Sequence, residues 1–170
     1  MPSTNAMLPT AIGGSILAIY GVGLTLRVIR QRLGNKIMLG DGTKEFLMNY
    51  VKVKTEDPLN KAAIADAANF GATPYFGVNT AIRAHGNFIE TVPWVVTLSA
   101  VVGLTEALPT VAHGAIMGTF VVMRIAHAEL GLLRAGGMGR GRSIGMVVTL
   151  LTTLTFAGAL LVQSGKQLFA

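Results

Sequence analysis

The sequence predicts an all-α integral membrane protein, a four-transmembrane-helix bundle with a long insertion between its first and second spans. Three observations predict it. Of 170 residues, 51% are hydrophobic and only 13% are charged, about half the charge content of an average soluble domain. The charges thin out in four long apolar runs, each close to the roughly 20 residues that cross a hydrocarbon core. The excess of 14 Lys and Arg over 8 Asp and Glu gathers in two connections, after the first run and after the third, as the positive-inside rule requires of a multi-pass chain. Basicity placed in this way points to membrane topology, and no nucleic-acid partner is expected.

The first span is read at 8–26, because no charged residue occurs between Met1 and Leu26. The cluster Arg27, Arg30, Arg32 and Lys36 follows the apolar run instead of preceding it, so the segment is expected to be an anchor and not a cleaved signal. The segment 43–77 carries four positive and four negative charges and is too polar to span. Its stretch Asn60–Asn69, rich in alanine, predicts a short amphipathic helix, and a connection of this length suits a partner-binding element outside the membrane. The second span is read at 80–103, with Arg83, His85 and Glu90 in its first half. The third, at 109–133, has 17 uncharged residues from Ala107 to Met123 and then Arg124, His127 and Glu129. The fourth, at 143–165, is charge-free.

The turn between spans two and three holds only Glu106, so both termini are expected on the outer or lumenal side. A bacterial inner membrane, an endoplasmic reticulum or a mitochondrial membrane all fit. Gly114 and Gly118 form a G-x-x-x-G pair in span three, and Gly13, Gly14, Gly21 and Gly23 stud span one, which lets helix backbones approach closely.

A charged group in a span is costly and faces a protein interior or a water-filled cavity. Arg83, Asn87 and Glu90 stand at i, i+4 and i+7, on one helical face. That face offers a fork of donors, an amide and a carboxylate to one ligand. It equally suits a structural role, with Arg83 and Glu90 neutralising each other and Asn87 bonding a neighbouring helix. Arg124 and His127 repeat the pattern at i and i+3 in span three, and cationic groups from two helices make an anion pocket. His85 and His113 read as packing or interface residues. The three histidines are too scattered for a ligand set, and no metal is expected. Without cysteine, thiol chemistry needs a thiol carried by a ligand. The run Ala135–Arg142 is glycine-rich but lacks the preceding strand and the G-K-[ST] ending of a phosphate loop, and reads as a flexible basic turn.

The run Arg83, Asn87, Glu90 and Pro93 resembles the R-x-x-x-N-x-x-E-x-x-P signature on the second helix of the MAPEG family, the membrane-associated proteins in eicosanoid and glutathione metabolism. Microsomal glutathione transferases and leukotriene and prostaglandin E synthases belong to it. Gly40-Asp41-Gly42 ahead of the Arg83–Asn87 run is similar to small bacterial members. The resemblance implies a homotrimer of four-helix protomers that binds glutathione between protomers near the inner membrane face. It maps the glutathione ligands onto Arg83, Asn87, Glu90 and Arg124, with His127 beside them, and makes Arg140 and Arg142 candidates for activating the thiol.

Arginines suit the carboxylates of glutathione and Glu90 suits its ammonium. Where catalytic members carry tyrosines after that third-helix arginine, this chain has Ala128, Glu129, Leu130 and Gly131, so no aromatic hydroxyl is expected there. Two functions follow. One is a glutathione-dependent transferase or peroxidase acting on lipophilic electrophiles from the bilayer. The other is a non-catalytic structural or accessory subunit of a larger membrane assembly, such as an organellar or respiratory one, docked to other subunits through 43–77. Membrane lipids surround the protein in either case.

Overall fold

A computed structural model of the protein describes residues 4–134 and 139–169. The described residues form helices and turns, in the order α1 (Leu8–Gly34), α2 (Thr43–Glu56), α3 (Lys61–Ala68), α4 (Pro74–Thr105), α5 (Thr110–His127) and α6 (Arg140–Leu168). Short 3-10 turns precede α1 and α4, and a π-helical turn, Ala128–Leu132, follows α5. Four of the helices are long and apolar enough to cross a membrane: α1 with its preceding turn, α4, α5 with its π turn, and α6. The protein is therefore an all-helical four-span membrane protein. The chain divides into two compact units, residues 1–23 with 86–170, and residues 24–85.

In the larger unit small and polar residues share the interior with apolar ones. On α6, Gly145, Thr149, Thr152 and Phe156 are buried, at spacings of four, three and four that place them on one face. Leu150, Leu151, Leu154 and Leu161 are exposed. In lipid there is no hydrophobic drive to bury leucine, so small and polar residues take the interior, where they pack closely and find hydrogen-bond partners. A chain of hydroxyls and one imidazole shows the rule: Thr10 Oγ1 lies 2.6 Å from Ser99 Oγ, which lies 2.7 Å from His113 Nε2. These three buried side chains tie together α1, α4 and α5, and the His113 ring meets Phe156 of α6 edge-on at 5.5 Å.

In the smaller unit, α1 continues past the expected span end and carries Arg27, Arg30 and Arg32 as helical residues, since nothing breaks the helix before Gly34. It closes with Lys36 in the left-handed region and the Ile37 N–H donating to the Arg32 carbonyl at 3.0 Å. That six-to-one bond is a Schellman closure, with Ile37 buried against the helix end. The Gly40-Asp41-Gly42 turn follows. Both glycines have positive φ, 81° and 87°, and a Cβ on Gly42 would lie 2.9 Å from the Tyr75 Cβ. Between them Asp41 accepts from the Thr43 N–H at 3.0 Å and from Asn79 Nδ2 at 2.9 Å, fastening the start of α2 to α4.

The segment 43–77 is more helical than its composition suggests. α3 lies where the alanine-rich stretch predicts it, started by Asn60, whose side chain accepts from the Ala63 N–H at 3.1 Å. α2 was not anticipated, because its apolar face is narrow and holds no buried residue. Phe46, Phe70 and Phe76 stack edge-on, with ring centres 5.0 and 6.0 Å apart, and give α2 its packing.

Replacing Ser99 with alanine leaves the Thr10 hydroxyl and His113 Nε2 without their shared partner and lowers stability by about 1–3 kcal/mol, measurable as an earlier unfolding midpoint when SDS is titrated into mild-detergent micelles. Hydrogen bonds from the Thr43 backbone N–H and hydroxyl, and from Asn79, hold the Asp41 carboxyl below its ordinary 3.8. A depressed folded value stabilises the turn above that pH, and the stabilisation is lost as the pH falls through the folded value. Hydrogen exchange of the amides at 42–46, corrected for intrinsic rate, therefore rises on acidification below about pH 4. Asp41→Asn raises exchange at neutral pH and removes the acid step.

Candidate functional site

Asn87 of α4 and Arg124 of α5 meet at a polar node in the larger unit. Arg124 is only 1% exposed although it lies well inside a span. Its Nη2 donates to both acceptors of Asn87, the backbone carbonyl at 2.9 Å and Oδ1 at 2.7 Å. Its Nη1 reaches the Thr149 hydroxyl of α6 at a long 3.5 Å. The Asn87 carbonyl also accepts from the Thr91 hydroxyl at 2.8 Å, so one peptide oxygen serves a side chain of its own helix and the guanidinium of another. None of the bonds to this guanidinium comes from a carboxylate, and its Nε is buried with no partner.

His127, one turn further along α5, is 3% exposed. Its Nδ1 lies 2.8 Å from the Arg142 carbonyl. A carbonyl only accepts, so in the neutral ring Nδ1 carries the hydrogen and Nε2 is left as an acceptor. That Nε2 is buried and unpartnered. Two adjacent side chains on one face of α5 thus each hold one unused polar atom in a low-dielectric interior, a donor on Arg124 and an acceptor on His127. Unpaired groups of this kind are rare in folded proteins and mark a place for a ligand or an ordered water.

The start of α6 is pressed against the end of α5 by glycines. A Cβ on Gly131 would lie 2.6 Å from the Arg142 nitrogen, one on Gly141 2.5 Å from the Ala126 carbonyl, and one on Gly145 2.5 Å from the His127 Cβ. A Cβ on Gly139 would collide with the Leu130 carbonyl. The expected flexible basic turn is therefore corrected in its second half: residues 135–138 lie outside the described residues, but Gly139 and Gly141 are close-contact positions and Arg140 and Arg142 belong to the first turn of α6. The physical reason is that a glycine without positive φ in this register serves interhelical approach, which a linear reading cannot tell from chain flexibility.

The π turn gives the site a further member. With the Leu133 N–H bonded to the Ala128 carbonyl at 2.9 Å, the helix widens at Ala128–Leu132, a distortion frequent at functional sites. Glu129 in this turn accepts a 2.9 Å hydrogen bond from the Tyr20 hydroxyl of α1. The Tyr20 ring also packs edge-on against Phe88, the neighbour of Asn87, at 5.6 Å. No aromatic hydroxyl was expected beside Glu129, and α1 supplies one. The only sequence signal was a lone tyrosine toward the C-terminal end of the first apolar span, which is indistinguishable from an interface anchor.

The other expected site residues are placed as follows. Asn87 is half-buried, whereas Arg83 and Glu90 are exposed on α4, one turn to either side of it. Arg83 belongs to the 24–85 unit and Glu90 to the larger one. Arg140 and Arg142 are exposed, and the Arg142 carbonyl meets His127 at the node. His85 bonds Thr25 at 3.1 Å. Among the described residues no group of three or more His, Asp or Glu side chains is placed to hold a metal ion.

Four apolar spans with a buried, hydrogen-bonded arginine and histidine define an integral multi-pass membrane protein with a polar interior site. More particularly, the chain belongs to the MAPEG family, whose family model matches residues 10–162. No curated protein and no solved structure matches it. Membership makes it a membrane protein related, in general terms, to glutathione and eicosanoid metabolism.

Substituting Gly145 with alanine sets a methyl against the His127 Cβ and the Met123 carbonyl, 2.5 and 2.8 Å away, neither of which is the free end of a flexible chain. The variant is expected to lose about 1–3 kcal/mol from overpacking and to release His127 from the Arg142 carbonyl, seen as a shifted imidazole resonance of labelled histidine.

Proposed function

We propose that the protein is a glutathione-dependent membrane transferase or peroxidase acting on lipophilic electrophiles, and that it works as a homotrimer with both termini on the outer or lumenal side. The observation that carries this reading is the Arg124 guanidinium, buried in a span and bonded only to neutral acceptors. A buried charge without a counter-charge is costly, and an anionic ligand removes that cost. The polar atoms present fit a glutathione carboxylate: Arg124 Nε is a free donor, and Asn87, with its Oδ1 taken by Arg124, turns its amide hydrogens to a ligand. Arg83, Asn87 and Glu90, on one face of the continuous α4, add a second guanidinium for the other carboxylate and a carboxylate for the ammonium.

Bound glutathione supplies a thiol that reacts as thiolate. The protein's part is positional and electrostatic. Arg124 and Arg83 orient the carboxylates, and His127 Nε2 stands as a neutral acceptor for a ligand N–H or for the proton leaving the thiol. Arg140 or Arg142 holds positive charge near the developing thiolate. The Tyr20 hydroxyl, oriented by Glu129, contributes a donor from α1.

A second reading, a non-catalytic accessory subunit of a larger membrane assembly, is favoured by Leu47, Met48 and Val51 on α2, which remain exposed on the segment 43–77 and suit an apolar partner. One experiment separates the two. Calorimetry on the detergent-purified protein is expected to show glutathione binding that weakens at least about tenfold in Arg124→Lys, which keeps the charge but loses the bidentate fork, and in Arg83→Ala. Conjugation of a lipophilic electrophile falls in parallel. No binding to a folded protein, with co-migration of a partner on native gels, would reverse the assignment in favour of the accessory subunit.

A further inference from the structure

Along the α5 and α6 contact lies a groove of about 580 Å3. Its walls are Met123, Ala126 and Leu130 on α5 and its π turn, and Ile144 on α6, and its charged members are Arg134 and Arg140. Gly139 and Gly141 form part of the lining. They contribute no side chains while holding the helices in backbone contact, which leaves the space open. Leu130 and Ile144 are half exposed, at 50% and 54%, so the apolar part opens toward the surroundings of two membrane spans.

The chemistry of this groove is divided along its length. Its wall is apolar at Met123, Ala126, Leu130 and Ile144 and cationic at Arg134 and Arg140. Among the described residues no carboxylate lines it. Two guanidiniums match a phosphate oxygen pair, with planar donors that bond phosphate in a fork. A small hydrophilic anion would satisfy the arginines and leave the apolar walls uncovered. A neutral lipid would cover the walls and leave the arginines without a counter-charge.

We propose that this groove binds an anionic phospholipid, with its phosphate between Arg134 and Arg140 and one acyl chain along Met123, Ala126, Leu130 and Ile144. Basic pockets between membrane helices recognise lipid headgroups through this combination. The groove has no residue in common with Arg124, Asn87 and His127 and shares only Arg140 with the residues offered above for thiolate stabilisation; it takes a different ligand and stands whether or not the protein uses glutathione.

The test is native mass spectrometry of the full-length protein released from micelles containing equal amounts of phosphatidylglycerol and phosphatidylcholine. Retention of phosphatidylglycerol is expected to exceed that of phosphatidylcholine at least about tenfold, given the attraction of two basic residues to an anionic headgroup. Arg134→Gln/Arg140→Gln removes the preference, and Arg134→Gln alone, at an exposed position, reduces it. Ile144→Trp fills the apolar part and lowers retention with both arginines intact. Lys166→Gln, in the last turn of α6, leaves the preference unchanged. Equal retention of the two lipids, a preference that survives the double substitution in protein of native helicity, or displacement of the bound lipid by millimolar inorganic phosphate would each overturn the proposal. Retention of oleate equal to that of phosphatidylglycerol would also overturn it, since the groove would then select a fatty carboxylate.

Discussion

A guanidinium inside a membrane span is the constraint around which the larger unit is arranged. Arg124 is 1% exposed, and in a medium that offers it no water every donor has to be met by the protein or by something that the protein holds. Two of its bonds go to Asn87, which sets α4 against α5 in one register. A third reaches Thr149, whose hydroxyl itself donates to the Gly145 carbonyl at 2.7 Å. The glycine at 145 is what lets α6 come close enough for that contact, and the same glycine abuts His127. Charge, amide, hydroxyl and glycine therefore form one interdependent set in which no member can be altered without moving a helix.

The rest of the unit follows from the solvent. Lipid-exposed leucines and isoleucines need no interior, so α6 buries Gly145, Thr149, Thr152 and Phe156 and exposes its leucines. The hydroxyl and imidazole chain of Thr10, Ser99 and His113 repeats the arrangement on α1, α4 and α5. It differs in a way that bears on function. In that chain the side-chain atoms are paired, as befits a structural contact, whereas Arg124 and His127 each keep a buried polar atom unpaired. The contrast between a satisfied network and an unsatisfied one is the physical ground on which the proposed ligand site rests.

Much of this was legible in the chain. Charge scarcity and run length are properties of sequence alone, so the four spans could be read without packing. Arg83, Asn87, Glu90, Arg124 and His127 could be singled out because a polar residue in a span needs a reason. The alanine-rich α3 was legible with its cap, because Asn60 supplies a local signal. α2 was not: its packing comes from Phe46 meeting Phe70, a contact between residues 24 apart that periodicity does not record. The role of Gly139 and Gly141 was likewise hidden, since a glycine that admits a neighbouring helix and a glycine that loosens a turn are the same letter.

By itself the sequence determined that the protein lives in a membrane, how many times its helices can cross, and which few side chains carry charge into the apolar region. It did so because transfer free energy is additive along a chain and needs no partner. Only the tertiary structure decided which of those side chains meet. It joined Arg124 to Asn87 across two helices, turned His127 to the Arg142 carbonyl, brought Tyr20 of α1 to Glu129 in a widened turn, and left one atom of Arg124 and one of His127 unpaired. Such pairings depend on helix rotation and approach to within a few tenths of an ångström, which are set by side-chain volumes from several helices at once.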